Sequence, residues 1–240
     1  MKKILLLAFA MTIVATGAYA QKTKTVTNKR PNPAKITNPD GTQPSASAQA
    51  ITVIELPPYE MGLDAPLREV LKNRRTERHI LPEELPIEMV SSLLWSAYGI
   101  NRPEESKRVV PSAINAQEFD IYLFNSEGIF LYNAEKNSIE MMVKGDNRDI
   151  ISDQPFFKEA PISLVLVANY DRMERFKEAD IRDFYAAVDC GYISQNIYLF
   201  CASAKLATVA CGGINRDKLQ KVLGLKNARP LLAHPVGMGK

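Results

Sequence analysis

The chain has 240 residues, of which 46% are hydrophobic, and a formal net charge of +3. That length allows one domain, or one small domain with appendages, and the apolar content is ordinary for a packed core. A charge so mild and evenly spread gives no electrostatic footprint for nucleic acid, which is set aside as a partner.

Residues 1–20 read differently from the rest: Lys2 and Lys3, an apolar run over 4–14, then Ala18, Tyr19 and Ala20. This pattern predicts a secretory signal peptide cleaved after Ala20. The run is short for a membrane span, and the residue directly after the cleavage site is Gln21 and not a cysteine. The expectation is an exported protein, periplasmic or secreted, without a stable membrane anchor after cleavage. Residues 21–50 are Lys, Thr, Asn, Pro, Ser and Ala with few large apolar side chains, the composition of a flexible tether. Residues 51–63 restore apolar content around Pro57 and Pro58 and predict an extended arm. The folded domain is expected over 64–240.

That domain opens with Asp64 as a predicted N-cap, Pro66 in the first turn, and Leu67, Val70 and Leu71 on one helical face. The helix runs into Arg74, Arg75, Thr76 and Arg78. Guanidinium groups offer a rigid fork of donors to phosphate oxygens and the threonine adds another. Taken alone, such a cluster is more often a solvated basic helix end than a phosphate site. A second helix starts at Pro86, turns Ile87, Val90, Leu93, Leu94 and Ala97 inward and stops near Gly99. Trp95 and Tyr98 face either the core or a partner chain.

The stretch Pro111, Ser112, Ala113, Ile114, Asn115, Ala116, Gln117 precedes a strand over 119–124, turn chemistry over 125–128 and a returning strand over 129–132. Residues 138–143 are a third strand or a helix start. The unbroken apolar run 161–168 predicts a central strand buried on both faces. The longest helical pattern covers 181–205, with Tyr185, Val188, Tyr192, Gln195, Leu199 and Ala202 as inward candidates. It is apolar nearly all round, which implies burial in a core or a subunit interface. Cys211, Gly212 and Gly213 follow, then a short helix capped by Asn215 and closed by Gly224, and a last strand over 229–236. Helices before and after irregularly interleaved strands imply an α+β fold with a mostly antiparallel central sheet flanked by helices.

Cys190 and Cys201, if they share one helix, stand roughly 16 Å apart, beyond disulfide reach. They and Cys211 read as small hydrophobes. With His79 and His234 the only histidines and no Cys-x-x-Cys, no metal site is expected. No Ser/His/Asp or paired-carboxylate arrangement is visible, so no residue is named as catalytic. A Gly-Gly pair is either a plain loop or a place where backbone approaches a ring closely.

Three separated features, Arg74 to Arg78, Pro111 to Gln117 and Gly212 with Gly213, occur in an order and spacing that resembles the FMN-dependent nitroreductase family, including its secreted, SagB-type dehydrogenases. The resemblance implies FMN as cofactor. Arg74, Arg75, Thr76 and Arg78 would hold its phosphate and ribityl chain. Pro111, Ser112, Ala113, Asn115 and Gln117 would flank the isoalloxazine from the second subunit of a homodimer. Gly212 and Gly213 would bring a backbone amide near N5. Glu118 stands where the family usually has proline, and the chain stops at Lys240, where the family often adds a basic phosphate ligand. The implied activity is ping-pong hydride or electron transfer between a small-molecule donor and an acceptor such as a nitro compound or quinone. The alternative is a non-catalytic exported flavin- or ligand-binding module with the same fold.

Overall fold

The structure is a computed structural model that describes residues 52–240 together with the short strand β1 (Lys24–Thr25). The expected signal peptide, and the rest of the expected tether, lie outside the described residues. In chain order follow β2 (Thr52–Glu55), α1 (Leu67–Asn73), α2 (Ile87–Tyr98), β3 (Ile100–Arg102) and β4 (Lys107–Arg108). Next come β5 (Phe119–Phe124), β6 (Gly128–Asn133), β7 (Ser138–Lys144), α3 (Phe156–Glu159) and β8 (Ile162–Asn169). The chain ends with α4 (Ala179–Ala204), β9 (Leu206–Thr208), α5 (Arg216–Val222) and β10 (Ala228–Met238).

Eight strands form one sheet in the order β1-β2-β7-β6-β5-β8-β10-β9, with every neighbouring pair antiparallel. Side-chain chemistry sets its turns. The Asn125 carboxamide oxygen accepts the Glu127 and Gly128 amides at 2.9 and 3.0 Å and closes the β5–β6 hairpin. Asn133 does the same for Glu135 and Lys136 before β7. Residues 138–143, open between strand and helix in the sequence, are a strand because β6 and β2 pair with them on either side.

Strand β8 shows why an unbroken apolar run was needed. Its neighbours are β5 and β10, and both of its faces are covered. Leu164, Leu166 and Ala168 join the core beneath α2 and α4. Val165 and Val167 point the other way, into a second core with Phe157 of α3 and Leu219 of α5. The sheet is thus the middle layer between two helical layers, the arrangement in which an apolar strand finds partners on both faces.

Two helices depart from the expectation. Helix α1 starts after Pro66 with no side-chain cap, so Asp64 does not serve, and only Val70 is buried while Leu67 and Leu71 are 65% and 54% exposed. Helix α4 has the expected extent, but its buried line is Ala186, Asp189, Cys190, Ile193, Ser194, Ile197, Phe200 and Cys201. Tyr185, Tyr192 and Gln195, expected inward, are exposed. The physical reason is that two polar residues, Asp189 and Ser194, sit on the inner face with specific partners, while aromatic residues occupy the outer one. A hydropathy period has no polar stripe to lock onto in such a helix. Among the described residues, no helix is long and apolar enough to cross a membrane.

Candidate functional site

The cationic cluster leaves α1 where the Arg74 amide donates to the Val70 carbonyl at 2.9 Å, and then runs extended. Two backbone bonds fix its course: Glu77 N–H donates to Thr208 O at 2.9 Å, and Leu81 N–H to Met238 O at 2.8 Å. The segment therefore lies along β9 and the end of β10. Glu77 closes the turn from below, its carboxylate accepting the Arg78 and His79 amides at 2.9 and 3.0 Å. Those amides, His79 first, hold the Glu77 carboxyl below its ordinary pKa. Arg75 stands 3.8 Å from that carboxylate with a largely exposed side chain. Among the described residues, Arg74 and Arg78 pair with no carboxylate, so their guanidinium donors remain free.

Because Thr208 leads directly into the Cys211-Gly212-Gly213 loop, that loop is the neighbour of the cationic segment. Its carbonyls are fixed from behind: Arg216 donates to Gly212 O at 3.1 Å, and the Ser152 hydroxyl to Gly213 O at 2.7 Å. Both glycines are exposed, and among the described residues no acceptor meets their N–H groups. A Cβ on Gly212 would meet nothing closer than a Leu232 methyl at 3.7 Å, and one on Gly213 only the Cys211 sulfur at 4.0 Å. The chain's own packing does not demand glycine here.

Tyr198 of α4 lies where the two loops meet. Its hydroxyl accepts the Ala210 amide at 2.8 Å and shares a 3.0 Å hydrogen bond with the Thr76 hydroxyl. The Arg74 guanidinium sits 5.2 Å from the centre of its ring. The ring meets His234 edge to face at 5.3 Å. His234 is fully buried and bonded to Ser194 at 2.9 Å and Thr208 at 3.2 Å. Burial pulls its pKa down to about 3, which keeps the imidazole neutral. With a threonine rather than a carboxylate on its second nitrogen and no access to solvent, this Ser-His pair is structural and not a nucleophile with its base.

The segment 111–117 forms a second grouping, on strained backbone. Ile114, Asn115 and Gln117 have φ of +49°, +58° and +48°, left-handed values that are uncommon for such residues and a genuine outlier for a β-branched isoleucine. Such strain persists only where surroundings over-determine it, and it clusters at ligand sites. Here Ala113 N–H donates to Asp189 of α4 at 2.8 Å and Gln117 N–H to the Ser112 hydroxyl at 3.0 Å. The Gln117 carboxamide is fully engaged within the chain: its oxygen accepts Arg108 Nε at 2.8 Å, and its nitrogen donates to Ser106 O and Asn115 Oδ1 at 2.8 and 3.2 Å. Ile114, Asn115 and Pro111 remain exposed.

Beneath this segment lies an acid pair. Glu118 is completely buried, and its two carboxyl oxygens lack a well-formed hydrogen bond. They face the buried carboxyl of Asp189. Burial pushes Glu118 up to about 7, with repulsion from Asp189 adding to it and Arg172 opposing it; burial also raises Asp189. The adjacent Cys190 thiol is pushed up to about 12 by burial and by these carboxyls, which leaves it inert.

The structure thus brings Arg74, Arg75, Thr76 and Arg78 together with Gly212 and Gly213. It gathers Pro111, Ser112, Ala113, Asn115 and Gln117 elsewhere. The two groups rest on Tyr198 and Asp189, nine residues apart on α4 and so about 13 Å apart along its axis. Among the described residues, no hydrogen bond joins them. Sequence reasoning missed Tyr198, which is hidden in an apolar helical pattern, and the partnership of Asp189 with Glu118, of which only Glu118 was noticed. Among the described residues, no cluster of three or more His, Cys, Asp or Glu could hold a metal ion.

Residues 71–238 match the model of the nitroreductase family. A nitroreductase-family protein of Methanocaldococcus jannaschii, MJ1384, is 31% identical over 195 residues, which span 77% of this chain and 95% of the relative. A crystal structure of a nitroreductase-family protein from Ralstonia eutropha JMP134 superposes with a TM-score of 0.72 at 28% identity, covering 91% of this chain and 99% of the other. One from Anabaena variabilis ATCC 29413 shares the fold, with a TM-score of 0.64 at 17% identity over 84% of this chain and 46% of that one. Matched by the family model over residues 71–238, and by two relatives along 95% and 99% of their length, the chain belongs to the nitroreductase family of oxidoreductases, whose members typically bind flavin.

Proposed function

We propose that this protein is an FMN-dependent oxidoreductase, exported and homodimeric, that couples a small-molecule electron donor to an acceptor such as a nitro compound or a quinone in ping-pong order. The observation that carries the reading is the pairing of unneutralised Arg74 and Arg78 with two exposed glycine N–H groups whose carbonyls are pinned. That donor set fits FMN at both ends. Guanidinium forks and the Thr76 hydroxyl suit a phosphate. A Cβ-free backbone with free amides suits close approach to the edge of a flat ring. Bound there, FMN would supply two-electron chemistry that no side chain of this chain offers.

In this reading Arg74, Arg75, Thr76 and Arg78 hold the phosphate and ribityl chain, and the Gly212 and Gly213 amides stabilise negative charge on the ring. Pro111, Ser112, Ala113 and Asn115 of the partner subunit flank the ring, and Gln117 acts by holding Asn115. The separation of the two groups along α4 supports a site completed by a second copy. So does the outer face of α4, where Phe184 and Tyr192 are 60% and 45% exposed. Assignment to the secreted, SagB-type branch belongs to the same proposal.

The test is the visible spectrum of the purified protein, before and after dithionite, followed by addition of a nitroaromatic or quinone. The expected result is a yellow protein that bleaches and recovers its colour with acceptor. A colourless protein that takes up no FMN would sink the reading. One that bleaches and is reoxidised by no acceptor would indicate the non-catalytic binding module.

A further inference from the structure

We propose that Tyr198 is a positioning residue that sets the spacing between the phosphate-facing and ring-facing loops and aims the Thr76 hydroxyl proton at the ligand. The inference rests on the FMN reading above and extends it to a residue that touches no ligand. A phenol offers one proton and accepts through its oxygen. The Ala210 N–H can only donate, so it occupies an acceptor position on the Tyr198 oxygen at 2.8 Å. Either hydroxyl can donate in the 3.0 Å bond to Thr76 Oγ1, and the phenolic proton is assigned to it because Thr76 is the one acceptor beside the Tyr198 hydroxyl among the described residues. Thr76, accepting from the tyrosine, keeps its own proton for an anion lying outward beside Arg74.

The rest of the tyrosine is held so that its hydroxyl cannot drift. One face of the ring lies under Arg74, and its edge abuts His234. His234 is itself fixed by Ser194 and Thr208 and is neutral, so it does not repel the guanidinium. Thr208 also carries the backbone bond to Glu77. One side chain of α4 therefore contacts Arg74 and Thr76 of the first loop and Ala210 of the second. A change at its hydroxyl reaches both.

The experiment titrates the flavin-free full chain with FMN and with riboflavin, which lacks the phosphate, following quenching of flavin fluorescence. Tyr198→Phe keeps the ring and its contacts with Arg74 and His234 and loses only the hydroxyl. It should weaken FMN binding about five- to twentyfold, the scale of one or two hydrogen bonds, and weaken riboflavin as well. Arg74→Ala should weaken FMN far more than riboflavin, because its guanidinium donors serve the phosphate while both hydrogen bonds of the Tyr198 hydroxyl are kept. Should Tyr198→Phe fail to fold, exposed Thr76→Val reports on the same bridge and should weaken FMN severalfold. Wild-type affinity for both flavins in Tyr198→Phe would overturn the proposal while leaving the FMN reading intact; wild-type affinity for FMN in Thr76→Val would overturn the proposal and remove Thr76 from the phosphate site as well. A wild-type protein that binds neither flavin would overturn both.

Discussion

The two loop systems are built on opposite principles. The segment 74–78 has ordinary extended backbone and presents uncommitted charged side chains over a neutral, fully bonded support of Tyr198, His234, Ser194 and Thr208. The segment 111–117 has strained backbone and side chains that bond mostly inward, and it rests on two carboxyls that burial discourages from ionising. The first can meet an anion without rearranging. The second stores conformational energy in order to hold a shape, and it presents Ile114 and Asn115 at an exposed turn. Affinity should therefore depend most on side chains in the first loop, and stability most on what lies under the second.

The largest effect is expected at Arg74. Arg74→Ala should cost about 1.5–3 kcal/mol of FMN binding, the scale of a hydrogen bond to a charged group, measured by fluorescence titration. Unchanged affinity would return Arg74 to the status of a solvated helix end.

Next is the acid pair. The folded-state pKa of Glu118 is raised from 4.5 to about 7, so between those values the folded chain keeps a proton that the unfolded chain has released. Its stabilising contribution is complete below about pH 4.5, is lost as pH rises through about 7, and is flat above that. Wild-type stability should fall across this window by on the order of 2 kcal/mol more than that of Glu118→Gln, measured by denaturant unfolding at several pH values. Parallel profiles for the two proteins would remove the pair from the account.

Gly212→Ala sharpens the contrast from the other side. The nearest atom to the new methyl is 3.7 Å away, so stability should stay within about 0.5 kcal/mol of wild type, while FMN affinity drops about tenfold. Equal affinity would mean that no ring approaches this backbone. The smallest effect is at Ile114, where glycine should relieve left-handed strain. The exposed side chain gives up little packing, so Ile114→Gly should be more stable by about 0.5–1 kcal/mol. A clear loss of stability would show that the isoleucine packs usefully.

The comparison also separates what the sequence makes legible from what it hides. Strands β5, β6, β8 and β10 and helix α2 follow from single, unambiguous patterns, and residues 138–143 needed only their neighbours to settle as a strand. Helix α1 is legible in its extent but not in its cap or its facing, because Pro66 begins it without help from Asp64 and only Val70 of its apolar residues finds a buried place. The facing of α4 was hidden because Asp189 and Ser194, polar by composition, go inward to partners more than 39 residues away in sequence. The arginines and glycines were legible as residue types whose chemistry suits phosphate and close approach. Tyr198 was not, because its role depends on two loops that meet only in the fold.

The most direct test is sedimentation of the purified, FMN-loaded protein, followed at both protein and flavin wavelengths. The account predicts flavin absorbance travelling with a species of twice the chain mass, at one flavin per chain. Full flavin occupancy on a species of a single chain's mass, or no flavin on any species, would contradict it.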